Sequence, residues 1–468
     1  MKFRIRAAVL GAALALIPAG VSRAADQPDV WALVNGKVVT APGKAIDKGT
    51  IVIRDGLVTA VGPAGAVSVP ADATEIDLAG KSVYPGLIDA YVTLSRLAGK
   101  NERPPEDDPA APRGLPAPSP TPTPEPAGNA HPIPRVTPER RASAELRVNP
   151  EALAALRELG FTLVNAVPDA GVFRGHSAVL SLGDGPVSRN LVVPRAAEIV
   201  SLDAPGRERG REYPSSKMGV AAVVRQTFSD ARWYRDAEAA WRAKPSLPRP
   251  DRVEAWAALG EAVSGSEPVL FETSDVLALL RAGKLAGESG LRTRVVGGAD
   301  AYVLMDEVKA LSPEIILTLA FPAAPSIDDD DDWVDVSLSR LRHWDRAPSN
   351  PRWLRDAGLS FALTTHGLPE VDVLPDRLRK ARARGLSADD LLAALTTVPA
   401  KMLGLEARAG EIAAGKSANL VVIEGTLFGE KSRVVTTWVD GRPYEARPKH
   451  APLTGTYRLE GGRLEIRS

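Results

Sequence analysis

Five short runs in the middle of the chain are strand-like with apolar centres: FTLVNAV (161–167), EPVLFE (267–272), RTRVVGG (292–298), EIILTLAF (314–321) and LSFALTT (359–365). Runs of this length, apolar on both alternating faces and rich in β-branched residues, predict strands covered on both sides. Between them apolar positions recur at helical spacing, in EALAALREL (151–159), SDVLALLRAGKLAGESG (274–290) and ADDLLAALTTV (388–398), the last with Ser387 placed as an N-cap. Strands and helices that alternate over roughly 300 residues predict a parallel α/β architecture, for which a (β/α)8 TIM-like barrel is the common closed form.

The two ends of the chain have a different texture. VWALVNGKVVTA (30–41) and TIVIRDGLVTAVG (50–62) carry Asn35-Gly36 and Asp55-Gly56 as turn dipeptides. ANLVVIEG (418–425), RVVTTWVDGRPYE (433–445) and TYRLEGGRLEIR (456–467) repeat the pattern around Asp440-Gly441 and Gly461-Gly462. Such dipeptides supply the positive φ angles of tight hairpins. The expected organisation is therefore a small β-sandwich built from both termini (25–85 and 405–468), with a barrel inserted between them over 86–404.

Two segments fall outside this scheme. Residues 1–24 place Lys2, Arg4 and Arg6 before an apolar run and end in small residues around Ser22 and Ala24, the order of a secretory signal peptide. The run is short for a membrane span, so the expectation is cleavage after Ala24 and a periplasmic or secreted protein with no membrane span. Residues 99–140 are thick with proline and poor in large apolar residues, which predicts an extended loop with polyproline character. The aspartate run 328–332 lacks the interleaved glycine and carbonyl ligands of a calcium loop and reads as a solvated turn.

Composition narrows the chemistry. Fifty-eight basic and fifty-eight acidic residues cancel, so no overall field recruits nucleic acid. The absence of cysteine removes disulfides, thiolate nucleophiles and thiolate metal ligands. Glycine pairs such as Gly297-Gly298 lack the spacing of a phosphate loop. Ser95, Thr93 and Thr365 invite a nucleophile reading, but GHSAV (175–179) ends in valine and no Gly-x-Ser-x-Gly elbow is present.

The strand-like KSVYPGLIDAYVTL (81–94) near the start, and PAKMLGLEARAGEIAAGKSANLVVIEG (399–425) near the end, resemble the scaffold motifs of the amidohydrolase superfamily, in the imidazolonepropionase and dihydroorotase-like flavour. That resemblance implies one or two divalent metals at the C-terminal ends of the barrel strands, activating a water to attack an amide, ester or ring carbonyl. It also implies ligands: two histidines from the first strand, often a carboxylated lysine or glutamate from the fourth, which has no assigned position in this sequence, histidines from the fifth and sixth, and an aspartate from the eighth. Placed on this sequence, the first-strand positions fall on Tyr91 and Thr93, the fifth near Phe271 and Glu272, the sixth near Gly297 and Gly298, and the eighth on His366. The chain has five histidines; His131 lies in the proline-rich insert and His450 near the C-terminus, leaving His176, His343 and His366 for the barrel.

The expected protein is therefore an exported amidohydrolase-like barrel that has lost its metal ligands. It would bind a small molecule, or assemble as a homo- or hetero-oligomer with an active amidohydrolase, with no cofactor. The alternative keeps hydrolysis of a carbon–nitrogen bond at a rearranged site holding one zinc or other divalent metal. On the hydrolase reading His366 and Asp89 are the candidate catalytic residues, with Glu272 or His176 joining them; on either reading Tyr91, Thr93, Glu272 and His176 are expected to line the pocket. His343, in RLRHWDRAP, reads as a helix-surface residue beside an aromatic anchor.

Overall fold

A computed structural model describes residues 30–99, 130–203, 213–325 and 336–446, and the backbone of two further strands within 455–466. The signal-like segment, most of the proline-rich insert, the aspartate run 328–332 and His450 lie outside the described residues. Among those described, no helix is long and apolar enough to cross a membrane.

The first part of the chain forms β1 (Val30–Ala41), β2 (Lys44–Arg54), β3 (Leu57–Pro63), β4 (Thr74–Asp77) and β5 (Lys81–Pro85). The barrel region follows with β6 (Leu87–Thr93), β7 (Phe161–Val167), β8 (Phe173–His176), β9 (Ala178–Ser181), β10 (Leu191–Val193), β11 (Glu198–Ser201), β12 (Val269–Glu272), β13 (Thr293–Gly297), β14 (Glu314–Thr318) and β15 (Phe361–Thr364). The chain closes with β16 (Leu420–Glu424), β17 (Arg433–Val439), β18 (Arg442–Glu445), β19 (Gly455–Leu459) and β20 (Gly462–Ile466).

Strands from both ends join in one eight-stranded sheet, in the order β18-β17-β16-β5-β1-β2-β3, with β4 also paired to β1. The join is β5 against β16, antiparallel, with Val83 opposite Val422. Ile51, Ile53 and Val58 on one wing share a core with Leu420, Val422 and Trp438 on the other, so the sheet curls on itself as a sandwich. Trp31 and Trp438 meet edge to face at 5.3 Å. The hairpin turns Asp55-Gly56 and Asp440-Gly441 all have positive φ, and they press together so closely that a Cβ on Gly441 would stand 2.6 Å from Gly56 Cα. Asn35-Gly36 behaves differently from expectation. It makes a bulge inside the continuous strand β1, because pairing with β2 resumes beyond it, and the turn between these strands is at Pro42-Gly43.

In the barrel, β11 to β15 run parallel as neighbours, and β6 lies parallel to β7. The gap between β7 and β11 is bridged by residues 173–181. Here β8 pairs antiparallel with β11 and β9 antiparallel with β7, so this strand position runs against the rest. At the other seam Thr364 Oγ1 on β15 lies 2.7 Å from Tyr91 O on β6. The period of two puts Tyr91, Ile199, Leu270, Val296, Ile316 and Ala362 together in the barrel interior, while Val269 and Phe271 pack outward with Leu279 of the surrounding helix Val276–Ser289. The predicted helices form at 150–158, 276–289 and 388–395. Ser387 caps the last through a capping box, and Asp275 and Gly290 bracket the second.

Candidate functional site at the barrel mouth

Two residues beyond an interior position lies the next interior position, so Glu272 stands above Leu270, Tyr91 above Asp89, and Thr364 and His366 above Ala362. These side chains meet at the C-terminal ends of the strands, the end where barrel enzymes keep their chemistry. Tyr91 is fully buried; its hydroxyl donates to Glu272 Oε2 and its ring lies 4.8 Å from that of His366. His366 Nε2 is 4.0 Å from Glu272 Oε2.

The partner that the sequence did not announce is Arg174. Its guanidinium grips Glu272 with both forks, Nη1 to Oε2 at 2.7 Å and Nη2 to Oε1 at 3.0 Å, and Nη1 also reaches the Tyr91 hydroxyl at 3.3 Å. Bidentate pairs of this kind are the strong members of their class. Burial alone would raise the Glu272 carboxyl, but Arg174, His366 and the Tyr91 hydroxyl together outweigh it and hold the group below the ordinary carboxylate range. Asp203, just beyond β11, shifts the other way because burial dominates, with Glu272 adding to it and Ser274 and Arg174 opposing.

Asp89 sits one step deeper. It is wholly buried and accepts from Thr364 Oγ1 at 2.6 Å, Thr365 Oγ1 at 2.6 Å, Thr365 N at 3.0 Å and Tyr91 N at 3.1 Å. Burial pushes its carboxyl up, against the pull of the two threonines. Thr93 caps the short helix Leu94–Leu97, and its hydroxyl lies 3.2 Å from Ser95 Oγ, which in turn donates to Asp169.

His176 does not join the others at the mouth. It ends β8, which runs antiparallel, so the later residue lies nearer the floor; its backbone neighbour is Glu198 at the start of β11. There His176 Nδ1 lies 2.9 Å from Glu267 Oε1 and 3.4 Å from Glu198 Oε2, and Arg195 clamps Glu267 at 2.7 and 2.9 Å. Burial, then the neighbouring Glu267, pushes the Glu198 carboxyl well above its ordinary value. His343 is on the helix Leu338–Arg346 as expected, but its aromatic partner is Tyr302, whose hydroxyl lies 2.9 Å from Nδ1; Trp344 is exposed.

Known proteins share this fold. The amidohydrolase family model matches residues 347–444, which span the last barrel strand and the returning strands of the composite sheet. That match covers about a fifth of the chain, and solved amidohydrolases share its fold. An amidohydrolase from Thermotoga maritima superposes with a TM-score of 0.68 at 22% identity, covering 89% of this chain and all of the other. A prolidase solved with N-methylphosphonate-L-proline gives 0.50 at 18% identity, with the same coverage. At these identities the likeness is one of fold. The enamidase of Eubacterium barkeri is 42% identical over 62 residues, which is 13% of this chain and 16% of the enamidase.

Proposed function

We propose that this chain is an exported, non-catalytic protein of the amidohydrolase scaffold, serving as an assembly partner rather than as a hydrolase. The observation that carries the reading is Tyr91, buried at a position where the superfamily resemblance implies a metal ligand, with its hydroxyl on Glu272 and its ring against His366. A hydrolase of this class needs an activated water and an open coordination position. Here a buried aromatic ring and the Glu272–Arg174 ion pair stand at the strand ends. Assembly has support from exposed apolar side chains on the helical segments around the barrel. Met218, Trp233, Leu277, Val303, Leu338 and Trp344 stand exposed on the segments that follow β11, β12, β13 and β14, and exposed apolar side chains are material for a contact surface. The partner would be a second copy of this chain or an active amidohydrolase, and export follows from the pattern of residues 1–24.

The second reading is a hydrolase of carbon–nitrogen bonds with a single metal between His366 and Glu272, whose nearest nitrogen and oxygen are 4.0 Å apart. Both readings are separated by one experiment on the purified mature chain: metal content by elemental mass spectrometry, with hydrolysis of cyclic amides and dipeptides followed for the wild type and His366→Ala. The expected result is metal-free protein without turnover in either form. Near-stoichiometric metal and turnover, both lost in His366→Ala, would replace the first reading with the second.

A further inference from the structure

The superfamily resemblance implies divalent metal at the strand ends, and the residues there do not fit that group. Zinc held by nitrogen and oxygen donors needs several of them converging within about 2.0–2.2 Å of one point. The first strand offers hydroxyls in place of imidazoles. Asp89, the nearest further carboxylate on that strand, already accepts four hydrogen bonds. On the sixth strand, Gly297 has φ 127°, and a Cβ there would stand 2.3 Å from Thr273 O, so no side chain can be added without moving backbone. Glu272, the anion that a cation would balance, is balanced already.

We infer that Arg174 is the resident cation of this barrel mouth, holding Glu272 ionised and Tyr91 in place as a metal ion would hold its ligands. The inference rests on the non-catalytic reading and deepens it by naming what stands in for the metal. Three observations carry it. The side chain is one-tenth exposed and Glu272 little more, so the pair is desolvated and neither charge could persist alone. A guanidinium cannot deprotonate in a protein, which makes it a permanent countercharge, and Glu272 raises its proton affinity further against the effect of burial. The backbone is also shaped to aim it. Gly171 and Gly175 flank Phe173 and Arg174 with φ 116° and 94°, and a Cβ on Gly175 would stand 2.4 Å from Arg140 O, so the reversed strand reaches the mouth only with glycine there.

Removing the guanidinium should leave an anionic recess at Glu272, with His366 beside it and Asp203 within electrostatic reach, and such a recess gains affinity for a divalent cation. The test uses the full mature chain as wild type, R174A, E272Q and R174A/E272Q. Zinc and manganese ions are the probes, read by titration calorimetry and by thermal melting with and without chelator. The wild type is expected to melt identically with and without chelator. R174A should melt lower and bind zinc about tenfold or more tightly than the wild type does, with zinc restoring part of the lost melting temperature. The double variant should lose the zinc gain and recover part of the stability.

R174A that melts like the wild type, or a zinc gain that persists in the double variant, overturns the inference. If R174A does not fold, E272Q carries the test: it strands the guanidinium and should melt lower, and an unchanged melt overturns the proposal. A wild type that purifies with stoichiometric metal dependent on His366 overturns the non-catalytic reading instead. A metal-free wild type with an unresponsive R174A overturns the role of Arg174 alone.

Discussion

Thr364 donates its hydroxyl to Asp89 across 2.6 Å, joining the last strand of the barrel to the first. Thr365 adds its own hydroxyl and its backbone N–H to the same carboxylate. The Asp89 carboxylate thereby acts as a clasp for the barrel seam, made by side chains rather than by a ladder of backbone bonds.

Asp89→Ala strands these donors inside the barrel. Each unpartnered buried donor costs about 1–3 kcal/mol, so the variant should lose about 3 kcal/mol or more of stability. Urea denaturation of the two proteins side by side measures this. A loss below about 1 kcal/mol would mean that the seam is held by other contacts.

The buried floor cluster predicts how stability responds to pH. Glu198 has a folded pKa raised above its unfolded value, so the folded state binds more protons and its stability falls as pH rises from the ordinary glutamate range through the folded value. Glu267 runs the other way: burial would raise its carboxyl, but His176 and Arg195 outweigh that and lower it, so its contribution is present above the ordinary value and is lost on acidification. Glu198→Gln, neutral at every pH, should flatten the decline on the alkaline side and leave the acid side as it was. Melting temperatures of both proteins across the pH range decide it; parallel curves would remove Glu198 from the account.

Restoring a histidine at the sixth-strand position should fail. Gly297→Ala already puts a Cβ against Thr273 O in a region of backbone space that side chains rarely adopt, and should cost about 1–3 kcal/mol. Gly297→His should be at least as destabilised and take up no zinc. A folded Gly297→His with wild-type stability would show that β13 can shift to make room.

Much of this was legible in the sequence. The five apolar runs became strands with ends moved by a few residues, and the resemblance put Tyr91, Glu272 and His366 at one end of the barrel, where they meet. Pattern reading placed His176 at the pocket and passed over Arg174, for a single reason. In a parallel barrel the later of two interior residues lies nearer the mouth, but residues 173–176 run backward, which lifts Arg174 to the mouth and sinks His176 to the floor. An arginine between Phe173 and Gly175 in an otherwise apolar stretch was the available signal, since a buried cation requires a buried anion. The direction of a strand is set by tertiary pairing, and no local pattern records it.

The pairing of β5 with β16 has a consequence for the order in which the molecule assembles. Val83 meets Val422, so this contact closes a loop that contains the entire barrel. Contacts so distant in sequence form slowly, because the entropy of closure must be met before they return anything. Barrel pairings are mostly between successive segments and can precede it. Until β16 arrives, β5 offers an open row of backbone donors and acceptors, the kind of edge on which chains aggregate. A chain ending before Leu420 would keep that edge permanently.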